Sequence, residues 1–154
     1  MRRFFSRVPS QRLRTGVRAG LVSAAATAGA ITGFGVRHND WFGPFASLGA
    51  QVMRGFGVVN PPTFISPVTG VATHVAWMVL WGIAFAVLAH RRAPVVTILL
   101  AMVVGLVAAL VARSLVPAAM GAVSFATLPA AQAVLCVALM TAGLWTGRAL
   151  ASAD

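Results

Sequence analysis

Long apolar stretches alternate with short polar stretches along this chain, and four of the apolar stretches have the length of a membrane span. A bilayer core about 30 Å thick needs roughly 20 apolar residues of helix. The four stretches lie at residues 19–36, 68–89, 94–112 and 125–147. The pattern therefore predicts an all-α integral membrane protein with a bundle of four transmembrane helices.

Residues typical of helix ends lie at the borders of these predicted spans. Ser66 and Pro67 precede the second span as N-cap and first helical residue, because proline lacks only a donor that has no partner in the first turn. Pro94 is expected to begin the third span in the same way. Pro129 lies near the start of the fourth span, where it can kink the helix.

The segment between the first two predicted spans contains a shorter amphipathic pattern. Its large apolar residues recur at intervals of three and four, the helical period: Phe45, Leu48, Val52 and Phe56. A helix over about residues 44–56, closed by Gly55 and Gly57, is too short to span. It is predicted to lie flat at the outer interface with its phenylalanines towards lipid. The simplest interpretation is a space-filling helix, and the alternative is a lid over a polar pocket.

Small residues recur four apart in three of the predicted spans, which allows helix backbones to approach closely in lipid. The stripes are Ala25, Gly29 and Gly33 in the first span, Ala101, Gly105 and Ala109 in the third, and Gly143 and Gly147 in the fourth. A tightly packed bundle is expected. The pattern leaves open whether these faces meet within one chain or between chains.

Composition agrees with a lipid environment. Of 154 residues, 59% are hydrophobic and 9% are charged, whereas a soluble domain carries about 25% charged residues. All twelve basic residues are arginine, and Asp40 and Asp154 are the only acids, so the net charge is +10. The arginines lie between apolar stretches and no nucleic-acid-binding motif accompanies them, so no nucleic-acid partner is expected.

The arginines predict the orientation of the spans through the positive-inside rule. With both termini cytoplasmic, nine arginines lie on that side, and three lie outside: Arg37, Arg54 and Arg113. Residues 1–18 then form a basic cytoplasmic segment, residues 19–148 the membrane domain, and residues 149–154 a cytoplasmic tail. The exclusive use of arginine and the abundance of alanine are typical of a high-GC bacterium, which indicates the bacterial inner membrane.

The first span has a competing interpretation as an export signal. It follows a basic segment, and Ala28-Gly29-Ala30 resembles a cleavage site for a secretory signal peptide. A signal peptide exports a soluble protein, however, and three further spans follow here. We expect the helix to be retained.

The inventory of reactive side chains is short. With Asp40 the only acid before the C-terminal residue, paired-carboxylate catalysis is excluded, and no nucleophile elbow or metal-ligand spacing is present. A single cysteine, Cys136, excludes an intramolecular disulfide. No enzyme activity is expected.

His74 is the one imidazole well inside a predicted span. We expect a packed polar residue in the outer half of the bundle, in a structural polar cluster with Asp40, Arg113 and Gln132, because polar groups in a span pair in the bundle interior. Asp40 is expected to pair with Arg113. The alternative is a bacteriochlorophyll or haem ligand, because Trp77 and Trp81 follow His74 at i+3 and i+7 on the same helix face.

The sequence thus favours a small non-enzymatic, multi-pass membrane protein without a cofactor. Its expected role is that of an accessory or structural subunit that packs against a larger membrane complex or against itself, with membrane lipids as further partners. A pigment- or haem-binding protein using His74 is one alternative, and a small-molecule or lipid transporter is another.

Overall fold

The computed structural model describes residues 10–37, 39–89 and 92–115, which form four helices with no strand among them. These are α1 (Ser10–Arg37), α2 (Gly43–Gly55), α3 (Ile65–Ala89) and α4 (Pro94–Leu115). The all-α prediction is confirmed for this part of the chain. The predicted fourth span at 125–147, with its Gly143 and Gly147 stripe, and the tail at 149–154 lie outside the described residues.

One described helix, Ile65–Ala89, is long and apolar enough to cross a membrane by length and composition, with a mean hydropathy of 1.9 over its 18-residue window. The segment Val95–Ala108 in α4 is apolar but shorter. The four-span arrangement therefore stays a prediction.

Helix α1 begins nine residues before the first predicted span. The predicted span at 19–36 therefore lies within a longer helix, which runs without a break through Arg12, Arg14 and Arg18. Arginine is a good helix former. The change in hydropathy near residue 19 therefore marks the border of the apolar stretch and not the border of the helix. At 1.5 Å per residue, the 28 residues of α1 extend about 42 Å.

Helix α2 matches the predicted amphipathic helix to within a residue, and Gly57 ends it. Gly57 has a φ of +86°, and its N–H donates to the Arg54 carbonyl (2.9 Å) while that of Val58 donates to Met53 (3.0 Å). This pair of bonds is the Schellman motif. The turn directs the chain away from the helix, so Phe56 is 86% exposed. Phe56 and Phe45, which the periodicity places on one face, therefore differ in exposure, because Phe45 is buried.

Helix α3 starts three residues before the predicted position, and the predicted N-cap role of Ser66 is wrong. The Ser66 hydroxyl donates backwards to the Pro62 carbonyl (3.0 Å), as does the Ser66 N–H (3.1 Å). Pro67 is tolerated in the first turn, where its missing donor would have no partner. Helix α4 begins at Pro94 as predicted, and Thr97 N–H donates to the Ala93 carbonyl at 3.0 Å.

Glycines bring α1 and α3 into backbone contact. A Cβ at Gly82 would lie 2.5 Å from both the Gly16 carbonyl oxygen and the Gly20 nitrogen, and one at Gly16 would lie 2.6 Å from the Ile83 Cα. Gly20 faces Val79. The contacts advance along α1 as they recede along α3, so the two helices are antiparallel.

The stripe predicted to pack in the first span is not the face that packs within the described chain. Ala25, Gly29 and Gly33 are exposed, and a Cβ at Gly29 or Gly33 would meet nothing within 4 Å. The stripe predicted in the third span does pack: Ala101 is fully buried and Gly105 is buried. The side chain of Ala109 is not among those that the structure describes.

A second glycine contact holds α2 against the beginning of α3. Added Cβ atoms would overlap the Ser66 carbonyl at Gly49 and the Phe45 carbonyl at Gly70. The two helices therefore run antiparallel and in close contact. Helix α2 thus packs on the protein along its Phe45 and Gly49 face. Phe45 does not face outwards as predicted, whereas Phe56 is exposed.

Candidate functional site

His74 lies where α1, α2 and α3 meet, and its side chain is buried. The Nε2 atom is 3.0 Å from Thr27 Oγ1 and 3.4 Å from the Ala24 carbonyl oxygen, both on α1. The edge-to-face arrangement of the imidazole and the Phe45 ring, with centroids 5.6 Å apart and an interplanar angle of 73°, adds α2 to the junction. The expectation of a polar side chain packed against a neighbouring helix agrees with this position.

The surrounding hydrogen bonds determine which ring nitrogen carries a proton. Thr27 Oγ1 donates its single proton to the Ser23 carbonyl (2.7 Å), so it accepts from His74. The Ala24 carbonyl can only accept. These contacts favour the tautomer in which His74 Nε2 carries the proton and donates to both oxygens.

The polar groups continue along α1 as a buried seam. Ser23 Oγ donates to the Ala19 carbonyl (2.8 Å), and both Ser23 and Thr27 are buried. We call Ser23, Thr27 and His74 the polar seam. A serine or threonine hydroxyl that donates to a carbonyl one turn earlier in its own helix has its proton bonded, and its oxygen can still accept a hydrogen bond from a neighbouring helix. The seam therefore joins two helices without leaving the hydroxyls or Nε2 unpaired.

Trp81, one of the two tryptophans considered as ligand neighbours, packs towards α4, whereas His74 packs towards α1 and α2. Trp77 and Trp81 pack edge to face, with centroids 5.7 Å apart and an interplanar angle of 68°. Trp81 packs on the cluster of Phe85, Ala101, Val104 and Ala108 between α3 and α4. Its buried Nε1 has no hydrogen-bond acceptor in the described part of the chain.

The other members of the predicted polar cluster are not brought to His74 by the described residues. Asp40 is exposed, and its carboxylate lies against Gly43 at the start of α2. The side chain of Arg113 and all of Gln132 lie outside the described residues. The pairing of Asp40 with Arg113 therefore stays a prediction.

Sequence reasoning missed Ala24, Thr27 and Phe45 as the neighbours of His74. A signal was present, because Gly16, Gly20 and Thr27 recur on one face of α1 in line with Ser23. Part of that face lies before residue 19, in the predicted basic cytoplasmic segment, so the pattern was divided between two predicted regions.

A shallow groove lies on the other side of α2. Its volume is about 430 Å³, and α2 forms one wall while the connector and the start of α3 form the other. It is lined by Ala46, Ser47, Ala50, Gln51, Arg54, Pro61, Thr63 and Ser66. We call this the α2 groove; it is polar at its hydroxyl, amide and guanidinium groups and apolar at its alanines and proline.

Comparison with models of known families found no match, and neither the curated proteins nor the solved structures contain one with significant similarity to this chain.

Proposed function

We propose that this chain is a multi-pass integral membrane protein that serves as a non-enzymatic accessory or structural subunit. The observation that carries the proposal is the distribution of side chains between the inside and the outside of the described helices. Besides Phe45, Phe85 and Val104, the buried residues between helices are glycine, alanine, serine, threonine and histidine, while most of the large aliphatic side chains are exposed. Water would favour the reverse arrangement.

Helix α4 is the plainest case. Its buried residues include Ala101, Ala108 and Thr97. Its exposed residues are mostly large and apolar: Val95, Leu99, Met102, Val103, Leu106 and Leu110. Soluble monomers rarely expose continuous apolar patches beyond a few hundred Å², whereas lipid solvates such a surface.

Helix α3 supports the same conclusion. Only 28% of its most apolar 18-residue window is buried, whereas the core helix of a soluble protein of similar hydropathy is mostly buried. The antiparallel pairing of α1 and α3 also fits two successive crossings in opposite directions. The arginine distribution favours cytoplasmic termini and the bacterial inner membrane.

The structural role is supported by the contacts of His74, the one titratable residue of α3. His74 donates to α1 and contacts the Phe45 ring, so it joins three helices. Partners are proposed to be lipids together with other membrane proteins or a second copy of this chain.

Membrane insertion and topology can be tested with single-cysteine variants in a Cys136→Ser background. Asn60→Cys, in the exposed connector, should react with an impermeant maleimide on intact spheroplasts. Ser6→Cys and Ser152→Cys should react only after permeabilisation. Release of the chain by alkaline carbonate, or labelling of the two termini from opposite faces, would refute the proposal.

The accessory role needs a separate test. After gentle solubilisation of native membranes, the chain should migrate in a complex larger than itself on native gels. Migration only as a free monomer would count against it. An absorption spectrum of the same preparation tests pigment or haem binding, because a Soret or near-infrared band lost in His74→Ala would favour that alternative.

A further inference from the structure

Arg54 in the α2 groove lacks an internal counterion in the described part of the chain. The sequence has twelve basic residues and only two acids, and the carboxylate of Asp40 lies against Gly43. The Arg54 side chain is exposed. The last α2 carbonyls are already bonded to the backbone N–H groups of Phe56, Gly57 and Val58, so the guanidinium is not needed to cap the helix. Its positive charge is therefore open to an anion from outside this part of the chain.

Two hydroxyls share the groove with that guanidinium. Ser47 lies two helical turns before Arg54 on α2, and Thr63 lines the groove from the connector. Ser66 also lines it, but its hydroxyl donates to the Pro62 carbonyl. The guanidinium fork matches the geometry of phosphate oxygens, and hydroxyls supply further donors to them. Ala46 and Ala50 keep the floor of the groove low enough for an anion to approach.

The surroundings of the groove are apolar. Phe56 is 86% exposed, Val59 81% and Phe64 77%, and all three lie in or beside the connector that forms one wall. Aromatic side chains of this kind are enriched where a membrane meets water. A ligand that fits both the groove and its rim carries a phosphate and apolar chains together.

We propose that the α2 groove binds the phosphate of an anionic phospholipid through Arg54, Ser47 and Thr63, with the acyl chains beside Phe56 and Phe64. This assignment rests on the membrane placement proposed above and, with that topology, selects the outer leaflet. The groove then holds lipid beside the contact of Gly49 with Ser66, and so stabilises the packing of α2 on α3.

Native mass spectrometry of the detergent-solubilised full chain tests the site. Dioleoylphosphatidylglycerol should bind about tenfold more tightly than dioleoylphosphatidylcholine, which corresponds to about 1.4 kcal/mol. Arg54→Gln should abolish this preference, and Arg54→Lys should retain part of it, because lysine keeps the charge without the fork. Arg14→Gln, an exposed arginine on α1, is the matched control and should keep the preference.

Equal binding of the two lipids by the unmodified chain would overturn the proposal, as would equal losses in Arg54→Gln and Arg14→Gln. Displacement of lipid by millimolar inorganic phosphate would also overturn it, because the site would then recognise free phosphate. Membrane insertion is measured separately by carbonate extraction. A failure here therefore leaves the proposed membrane role standing, whereas failed insertion removes both.

Discussion

Gly82→Ala is the substitution that most directly tests the contact between α1 and α3. The new Cβ would lie 2.5 Å from the Gly16 carbonyl oxygen and the Gly20 nitrogen, and 2.6 Å from the Gly20 Cα. All three are backbone atoms on a helix, so no side chain can rotate away to make room. The two helices must separate instead.

The size of the effect follows from these distances. Non-bonded heavy atoms are comfortable at about 3.5 Å, so the helices must move apart by about 1 Å. Overpacking of this kind costs about 1–3 kcal/mol. If the shift reaches the polar seam, the 3.0 Å contact between His74 Nε2 and Thr27 Oγ1 lengthens beyond hydrogen-bond range. That loss adds about 0.6 kcal/mol for a bond between membrane helices, so we expect about 2–4 kcal/mol in all.

The free energy of unfolding should be measured by titrating dodecyl sulfate into detergent micelles that contain the protein. Gly29→Ala is the matched control, because a Cβ there meets nothing within 4 Å. The control should be neutral or stabilising by up to about 1 kcal/mol, since alanine is the better helix former. If the two variants had the same stability within error, the close backbone contact would not exist and the antiparallel packing of α1 on α3 would be refuted.

Two further predictions concern the polar seam and the end of α2. In a double-mutant cycle of Thr27→Val and His74→Phe, the unfolding free energies should be coupled by about 0.6 kcal/mol, and by no more than about 1.7; strictly additive losses would show that the two side chains do not bond. Gly57→Ala should destabilise the protein by about 1–2 kcal/mol, because its φ of +86° is strained for a residue with a Cβ. Gly55 has equally open surroundings and lies in the helix, so the Gly55→Ala variant should not unfold at a lower concentration of dodecyl sulfate. Equal losses of stability at both glycines would contradict the Schellman motif.

Several elements could be predicted from the sequence because their signals are local. The three- and four-residue spacing that includes Phe45 and Val52 placed α2, and Pro94 placed the start of α4, since each depends on neighbours along the chain. The burial of His74 against another helix could also be expected, because an imidazole among apolar residues needs a partner.

The identity of that partner could not be predicted, and neither could the packing face of α1. The first 33 residues contain several sets of small residues four apart, among them Gly16 with Gly20, and Ala25 with Gly29 and Gly33. Their spacing is the same, so periodicity cannot choose between them. The rotation and offset of α1 against α3 make the choice, and they place Gly16 and Gly20 on Gly82 and leave Gly29 open.

What the sequence determines alone is therefore the set of helices and the apolar character of their surfaces, because hydropathy and helical period are properties of single segments. What the tertiary structure decides is which glycines touch and which hydroxyl receives the His74 proton. Those outcomes depend on atoms from segments some 50 to 65 residues apart, and no local pattern encodes the relative placement of two helices.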